Sequence, residues 1–185
     1  MRYLKAAVLL ILVIGGVSVA FLYSGIYAMG ADVPHTRLTY WALETLRDSS
    51  IDRVSRELVV PPLTDPELLL AGGPDYNEMC AGCHLRPDKS QSDMSIGLYP
   101  RPPNLSLPPY LHTGGDGGER AVRLARRQFW VIKHGIKASG MPAWGLTHDD
   151  QRIWAMVAFI QKLPQLTATQ YQILTARNDE SEAHH

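Results

Sequence analysis

The chain has 185 residues, a length that suits one domain of ordinary size with an added segment. Its 18 basic and 18 acidic residues balance to a formal net charge of +0, so composition gives no indication of a nucleic-acid-binding protein. The 15 glycines and 13 prolines gather in the middle of the chain and predict a loop-rich domain there.

The N-terminal segment is apolar enough to cross a membrane. Residues Ala6 to Met29 carry no charge, and a helix needs only about 20 such residues to cross a hydrocarbon core of about 30 Å. A cleaved signal peptide is the alternative, because small residues surround Ala28, but the apolar region of a signal is usually only about 7 to 15 residues long. We therefore predict an uncleaved transmembrane anchor over residues 1–30.

Charges on either side of the anchor predict its orientation. Arg2 and Lys5 lie before the apolar segment and Asp32 follows it, so the positive-inside rule places Met1 in the cytoplasm and the rest of the chain outside. In a bacterium this describes a single-pass protein of the inner membrane with its main domain in the periplasm. Tyr23 and Tyr27 suit the interfacial aromatic belt at the outer end.

Residues 31–62 are predicted to be a periplasmic linker with a short amphipathic helix. Five residues recur on one side of that helix: Leu38, Trp41, Ala42, Thr45 and Leu46. This apolar side needs a cover, and we favour the downstream domain or the membrane surface over a membrane protein partner. Pro61 and Pro62 then predict a stiff boundary before the main domain, residues 63–164.

A helix is predicted to begin at Thr64-Asp65-Pro66-Glu67. This stretch combines a capping side chain, a proline in the first turn and an acidic residue near the N-terminus of the helix. The helix would pass Gly72-Gly73-Pro74, with a break allowed there, and run through Tyr76 to Cys80.

Cys80-Ala81-Gly82-Cys83-His84 holds the only two cysteines of the chain and an adjacent histidine. The CxxCH spacing is the attachment signature of c-type haem, in which both thiols bond to the haem and the histidine ligates iron. A thioredoxin-like redox pair would need a βαβ pattern, and a zinc site would need a second ligand pair. The sequence shows neither, so we predict one haem c bound covalently through Cys80 and Cys83, with His84 as an iron ligand.

Residues 85–118 are predicted to be irregular, because prolines recur through them and four glycines follow Leu111. A structureless stretch of this length is usually functional, and wrapping a flat cofactor would explain it.

A basic helix is predicted from Glu119 to about Gly135. Its basic residues are Arg120, Arg123, Arg126, Arg127 and Lys133. Such a charge run is usually a solvated face. It could also steer an acidic redox partner, or supply an arginine to a haem propionate.

The last part of the main domain is predicted to be a loop followed by a helix. The loop from Gly135 to Gly145 is bounded by glycines and contains Met141. Thr147 is the predicted cap of a helix that ends at Leu163-Pro164. Residues 165–185 are predicted to add one short helix and then a disordered polar tail from Asn178.

The segment from about Asp65 to Pro164 resembles the small monohaem cytochrome c domain, and the whole chain resembles a membrane-anchored bacterial member of that family. Gly72 and Tyr76 stand where the family places a glycine for close helix crossing and an aromatic residue. Ala158-Phe159-Ile160 resembles the terminal helix that crosses there. Leu85 departs from the family, which usually has glycine after the histidine.

The resemblance implies a ligand set. Pro103-Asn104-Leu105 resembles the family's proline loop, in which a proline carbonyl accepts the proton of the ligand imidazole, although Pro102 is equally near. Met141-Pro142 resembles the methionine ligand loop, which makes Met141 the second iron ligand. Trp130 and Trp144 are expected to cover the haem.

Four other residues are weighed as iron ligands. Met94 and His134 are the rivals of Met141, whereas Met79 and Met156 are expected to lie in helices and pack in the core.

The predicted fold is all-α: three to five helices wrapped around one covalent haem, preceded by a single transmembrane helix. The predicted function is single-electron transfer by Fe(II)/Fe(III) cycling, as a shuttle or as a subunit of a respiratory or dehydrogenase complex. The partners would be membrane-bound redox proteins, with no small-molecule substrate, no nucleic acid and no catalytic residue. The alternative is a haem c enzyme or gas sensor with an open or displaceable distal position.

Overall fold

The computed structural model describes residues 1–108 and 117–177, and these residues contain helices and loops but no strand. The predicted all-α class is therefore confirmed. The chain divides into two compact units, one of residues Met1–Val33 and one that begins at Pro34.

The first unit contains helix α1, Arg2–Tyr23. Its 22 residues rise about 33 Å, enough to cross a hydrocarbon core. Among the described residues it is the one helix long and apolar enough to span a membrane. This agrees with the predicted single transmembrane helix.

The second unit opens with α2, Arg37–Ser55, which Thr36 caps by accepting a hydrogen bond from the Thr39 amide. The helix packs on the downstream domain through buried Ile51 and Ser55. Its predicted apolar side, by contrast, is exposed. The expectation of a helix in the linker was thus right, but the side expected to need a cover is not the one the domain covers.

Helix α3, Pro66–Asp75, begins as predicted, with the Asp65 carboxylate accepting from the Glu67 amide at 2.9 Å. The break allowed at residues 72–74 is absent, because α3 includes Pro74 and leads directly into a π-helical turn, Tyr76–Cys80. Helix α4, Ala81–His84, follows. The CxxCH motif therefore lies at the end of one nearly continuous helical segment.

Two glycines let α3 approach other helices closely. A Cβ on Gly72 would lie 2.1 Å from the Ala155 carbonyl oxygen in α7, Asp150–Lys162. A Cβ on Gly73 would lie 2.1 Å from the Leu174 carbonyl oxygen in the helix Ala168–Thr175, which is α8 in chain order. The predicted glycine crossing is present: the terminal helix α7, which contains residues 158–160, crosses α3 and meets Gly72 at Ala155.

The core forms where these helices cross. Its largest fully buried side chains include Tyr76, Phe159, Ile153, Met156 and Leu163. The Tyr76 and Phe159 rings lie 5.4 Å apart. Because Tyr76 precedes the CxxCH motif by one helical turn, this packing fixes the position of the motif.

Several element boundaries differ from prediction. The stretch predicted to be irregular contains a short helix, α5, Asp93–Gly97, because Ser92 and Ser95 form a capping box. Helix α6 spans Gly117–His134. Asp149, and not Thr147, caps α7. The predicted short helix in the tail is α8, whereas residues 109–116 and the tail from Asn178 lie outside the described residues.

Candidate haem-binding site

The attachment cysteines lie on the short turn that ends the α3–α4 segment. Cys80 is buried, Cys83 is half-buried and neither is in a disulfide. Burial raises the pKa of the Cys80 thiol to about 12, so the free side chain is a thiol and not a thiolate. Among the described residues no cluster of three or more His, Cys, Asp or Glu side chains could hold a metal ion.

The imidazole of His84 is held by a backbone carbonyl. Its Nδ1 lies 2.9 Å from the carbonyl oxygen of Pro103, and the Leu105 amide donates to the His84 carbonyl at 3.0 Å. Pro103, and not Pro102, supplies this acceptor. With its proton on Nδ1, the ring presents the lone pair of Nε2 for ligation. Burial lowers the pKa of His84, which favours the neutral form that a metal ligand requires.

Leu85 occupies a backbone conformation that usually selects glycine. Its φ is 67° and its ψ is −178°, a region that non-glycine residues rarely adopt. The strain is held by the surroundings, because the Leu85 side chain is buried and its carbonyl accepts a 2.6 Å hydrogen bond from the Tyr76 hydroxyl. A glycine would adopt this conformation without strain, because it has no Cβ.

The methionine loop is fixed by its own backbone. The Ile136 amide donates to the Met141 carbonyl at 3.2 Å, and the Met141 amide donates to Ser139 Oγ at 3.1 Å. Gly135 has φ +64°, and a Cβ there would lie 2.7 Å from the Met141 carbonyl oxygen. The glycine before this loop is therefore required both by its conformation and by the close approach.

The side chain of Met141 is half-buried and packs against the core cluster that contains Cys80. The rivals considered as ligands have other surroundings. Met94 is 56% exposed, and His134 is exposed and tilted over Trp130 at a ring distance of 4.8 Å. Met156 is fully buried in the core, as expected.

The two tryptophans expected to cover the haem have different surroundings. Trp144 packs against the core cluster, and its ring meets His148 edge-on at 5.6 Å. Trp130 lies on α6 beside His134. Of the two, Trp144 is the one that shares the core cluster with Cys80 and Met141, and the contact of either with haem remains a prediction.

Two buried polar atoms indicate a missing hydrogen-bonding group. Arg126 Nε and His148 Nε2 are buried, and neither has a hydrogen-bond partner within the part of the chain that the structure describes. Buried polar groups are nearly always paired. A haem brings carboxylate acceptors in its propionates, so these orphans and the free Nε2 of His84 fit such a cofactor. His148 was not among the residues predicted to bind the cofactor, and the burial of its unpaired ring nitrogen is the one signal that points to it.

Much of the basic character of α6 is neutralised inside the domain. Arg127 donates to Asp48 at 3.0 Å and to Asp52, and Arg123 donates to Asp52 at 2.5 Å. Both acidic residues lie on α2. These arginines hold α2 against α6 and therefore have a structural role. Because their charges are paired within the domain, they attract an acidic redox partner less strongly than free arginines would.

Residues 67–160 match the family described as cytochrome C oxidase, cbb3-type, subunit III. The chain belongs to this family. The resemblance to a membrane-anchored cytochrome c is thereby confirmed, together with covalent haem c and electron transfer as the broad function. No curated protein and no solved structure matches the chain. Helices α2 and α8 of this cytochrome lie outside the matched residues.

Proposed function

We propose that this cytochrome carries single electrons through a haem c ligated by His84 and Met141, while α1 tethers it to the bacterial inner membrane. The observation that carries the proposal is the hydrogen bond between His84 Nδ1 and the Pro103 carbonyl. It fixes the tautomer and the orientation of a histidine directly beside the two attachment cysteines.

The residues around the cofactor each have a separate task. Cys80 and Cys83 hold the haem covalently, which prevents its loss outside the cytoplasm. Pro103 orients the His84 ring and raises its basicity through the shared proton. Met141 supplies a soft thioether, which raises the reduction potential relative to two nitrogen ligands. A bound haem supplies the one-electron Fe(II)/Fe(III) couple.

The same arrangement requires no catalytic side chain. An iron with two protein ligands has no open position for a substrate, so the protein acts as an electron carrier and not as an enzyme by itself. Arg2 and Lys5 before the apolar segment, with Asp32 after it, support a periplasmic haem domain. There the tether confines the domain near membrane-bound donors and acceptors and raises their effective concentration.

The family description, an oxidase subunit, supports a complex as the setting for this transfer. A shuttle between separate membrane complexes would use the same chemistry. Purification in mild detergent distinguishes the two, because a subunit is recovered with stoichiometric partner proteins and a shuttle is recovered alone.

Replacement of Met141 tests the ligand assignment. In Met141→Ala holoprotein we expect a lower reduction potential and a changed spectrum of the reduced haem, because the thioether is lost from iron. Met94→Ala is the matched control, since Met94 is exposed and was the rival methionine. An unchanged potential and spectrum in Met141→Ala would remove Met141 from the ligand set. The same changes in Met94→Ala would transfer the role to Met94.

A further inference from the structure

Helix α2 presents an apolar side that no described residue covers. Leu38, Trp41 and Leu46 are 71%, 63% and 69% exposed. They lie on one side of the helix, as their spacing of three and eight residues from Leu38 requires. Clustered exposed apolar residues of this size mark an interaction surface. We call Leu38, Trp41, Ala42 and Leu46 the apolar stripe.

Buried residues and ion pairs of α2 hold it against the rest of the domain, so the helix cannot rotate to hide the stripe. Ile51 and Ser55 are buried against the rest of the domain. Arg47 bonds to Glu44 and Asp48 along that side, and Arg127 on α6 bonds to Asp48. The stripe is thus a fixed feature of the folded domain.

Two basic residues follow the apolar stripe toward the C-terminal end of α2. Arg53 and Arg56 lie on the same side as Leu38 and Leu46 by helical spacing, and both are exposed. Neither forms an ion pair with another described residue. Apolar residues that include a tryptophan, followed by unpaired arginines, suit an interface with anionic lipid headgroups.

The length of the connecting chain limits how far this surface can lie from a bilayer that α1 crosses. Helix α1 ends at Tyr23 and α2 begins at Arg37. Residues 24–36 reach at most about 45 Å even when fully extended. A stripe tethered at this distance meets a membrane surface at high effective concentration.

We propose that α2 lies on the outer surface of the membrane, with the apolar stripe in the headgroup region and Arg53 and Arg56 against anionic lipids. This rests on the anchorage by α1 proposed above. Since α2 is fastened to α6 through Asp52, which bonds to Arg123 and Arg127, the contact would hold the haem domain in one orientation on the bilayer.

The test uses the full-length holoprotein in vesicles of phosphatidylethanolamine and phosphatidylglycerol. Haem attachment consumes both native cysteines, so Leu38→Cys, at a stripe position that is 71% exposed, creates a single free thiol for a nitroxide spin label. Leu43→Cys is the matched control, because Leu43 is 49% exposed on the same helix but lies about 120° around it from the centre of the stripe. Accessibility to oxygen, which enters the bilayer, is compared with accessibility to a water-soluble nickel complex.

We expect a several-fold higher oxygen-to-nickel accessibility ratio at position 38 than at position 43. The difference should shrink in Arg53→Gln/Arg56→Gln protein and in phosphatidylcholine vesicles, where the anionic attraction is lost.

Equal ratios at the two positions in vesicles that retain the protein after carbonate washing would overturn the docking and leave the anchorage intact. Loss of the protein on carbonate washing would overturn the anchorage, and the docking with it. Spin–spin broadening at position 38 that disappears on dilution with lipid would mean that a second copy covers the stripe, which also overturns the proposal.

Discussion

The close approach of α3 and α7 at Gly72 predicts that even one added methyl group destabilises the domain. A Cβ at this position would lie 2.1 Å from the Ala155 carbonyl oxygen and 2.8 Å from the Met156 amide nitrogen. Ordinary contacts begin at 3.4 Å, so the two helices would have to separate by more than 1 Å. The obstacle is backbone, which no change of rotamer can remove.

Gly72→Ala should therefore lower the free energy of unfolding. Overpacking costs about 1 to 3 kcal/mol or more, and the backbone clash places this case at the upper end. The better helix propensity of alanine offsets up to about 1 kcal/mol of this destabilisation. The net loss of about 2 kcal/mol corresponds to a fall in Tm of about 4 to 8 °C for a chain of this length.

Thermal unfolding of the holoprotein in detergent, followed by circular dichroism, measures this change. Gly97→Ala is the control, because Gly97 ends α5 and a Cβ there meets nothing within 4 Å. We expect Gly97→Ala to leave Tm unchanged or to raise it slightly. Equal midpoints for the two variants would refute the reasoning that close backbone contact at Gly72 sets the position of the CxxCH segment.

Two further predictions concern the surroundings of the site. Tyr76→Phe leaves the buried Leu85 carbonyl without its 2.6 Å donor and should lower the free energy of unfolding by about 1 to 3 kcal/mol in denaturant titration; no loss would mean that the strained turn does not need this bond. Burial alone would raise the pKa of Asp52, but hydrogen bonds from Arg127 and Arg123 outweigh burial and lower it from 3.8. The stabilisation from Asp52 is therefore present above about pH 4 and lost as the pH falls through the lowered pKa. The Tm should fall more steeply between pH 5 and 3 in the wild type than in Asp52→Asn. Parallel curves of Tm against pH for the two proteins would contradict this.

The haem-binding elements were predictable because their signals are local. The CxxCH motif, the capped start of α3 and the glycine-bounded loop around Met141 depend on residues close together in sequence. The family resemblance then supplied the Pro103 carbonyl, and the structure shows the contact with His84.

The orientation of α2 was not predictable from its periodicity. The apolar stripe identified a side of the helix, but the covered side is set by Asp48 and Asp52, whose arginine partners lie more than 70 residues away in sequence. Local patterning carries no information on such a pairing.

The contact of α8 with α3 was missed for a similar reason. Gly73 was seen as a place where a helix could break, whereas it is the point where the backbone at Leu174 approaches α3. Tyr171 adds a hydrogen bond from its hydroxyl to Asn77 Oδ1 at 2.9 Å. The contacts of Gly72 with α7 and of Gly73 with α8 therefore stabilise α3, although the local sequence Gly72-Gly73-Pro74 favours a break.

In the proposed site the iron has two protein ligands, His84 and Met141, and serves electron transfer alone. Carbon monoxide binding to the untouched, reduced holoprotein tests it most directly. We expect no change in the haem spectrum on addition of carbon monoxide, because no coordination position would be open. Stoichiometric formation of a carbon monoxide complex would contradict it and favour the haem enzyme or gas sensor.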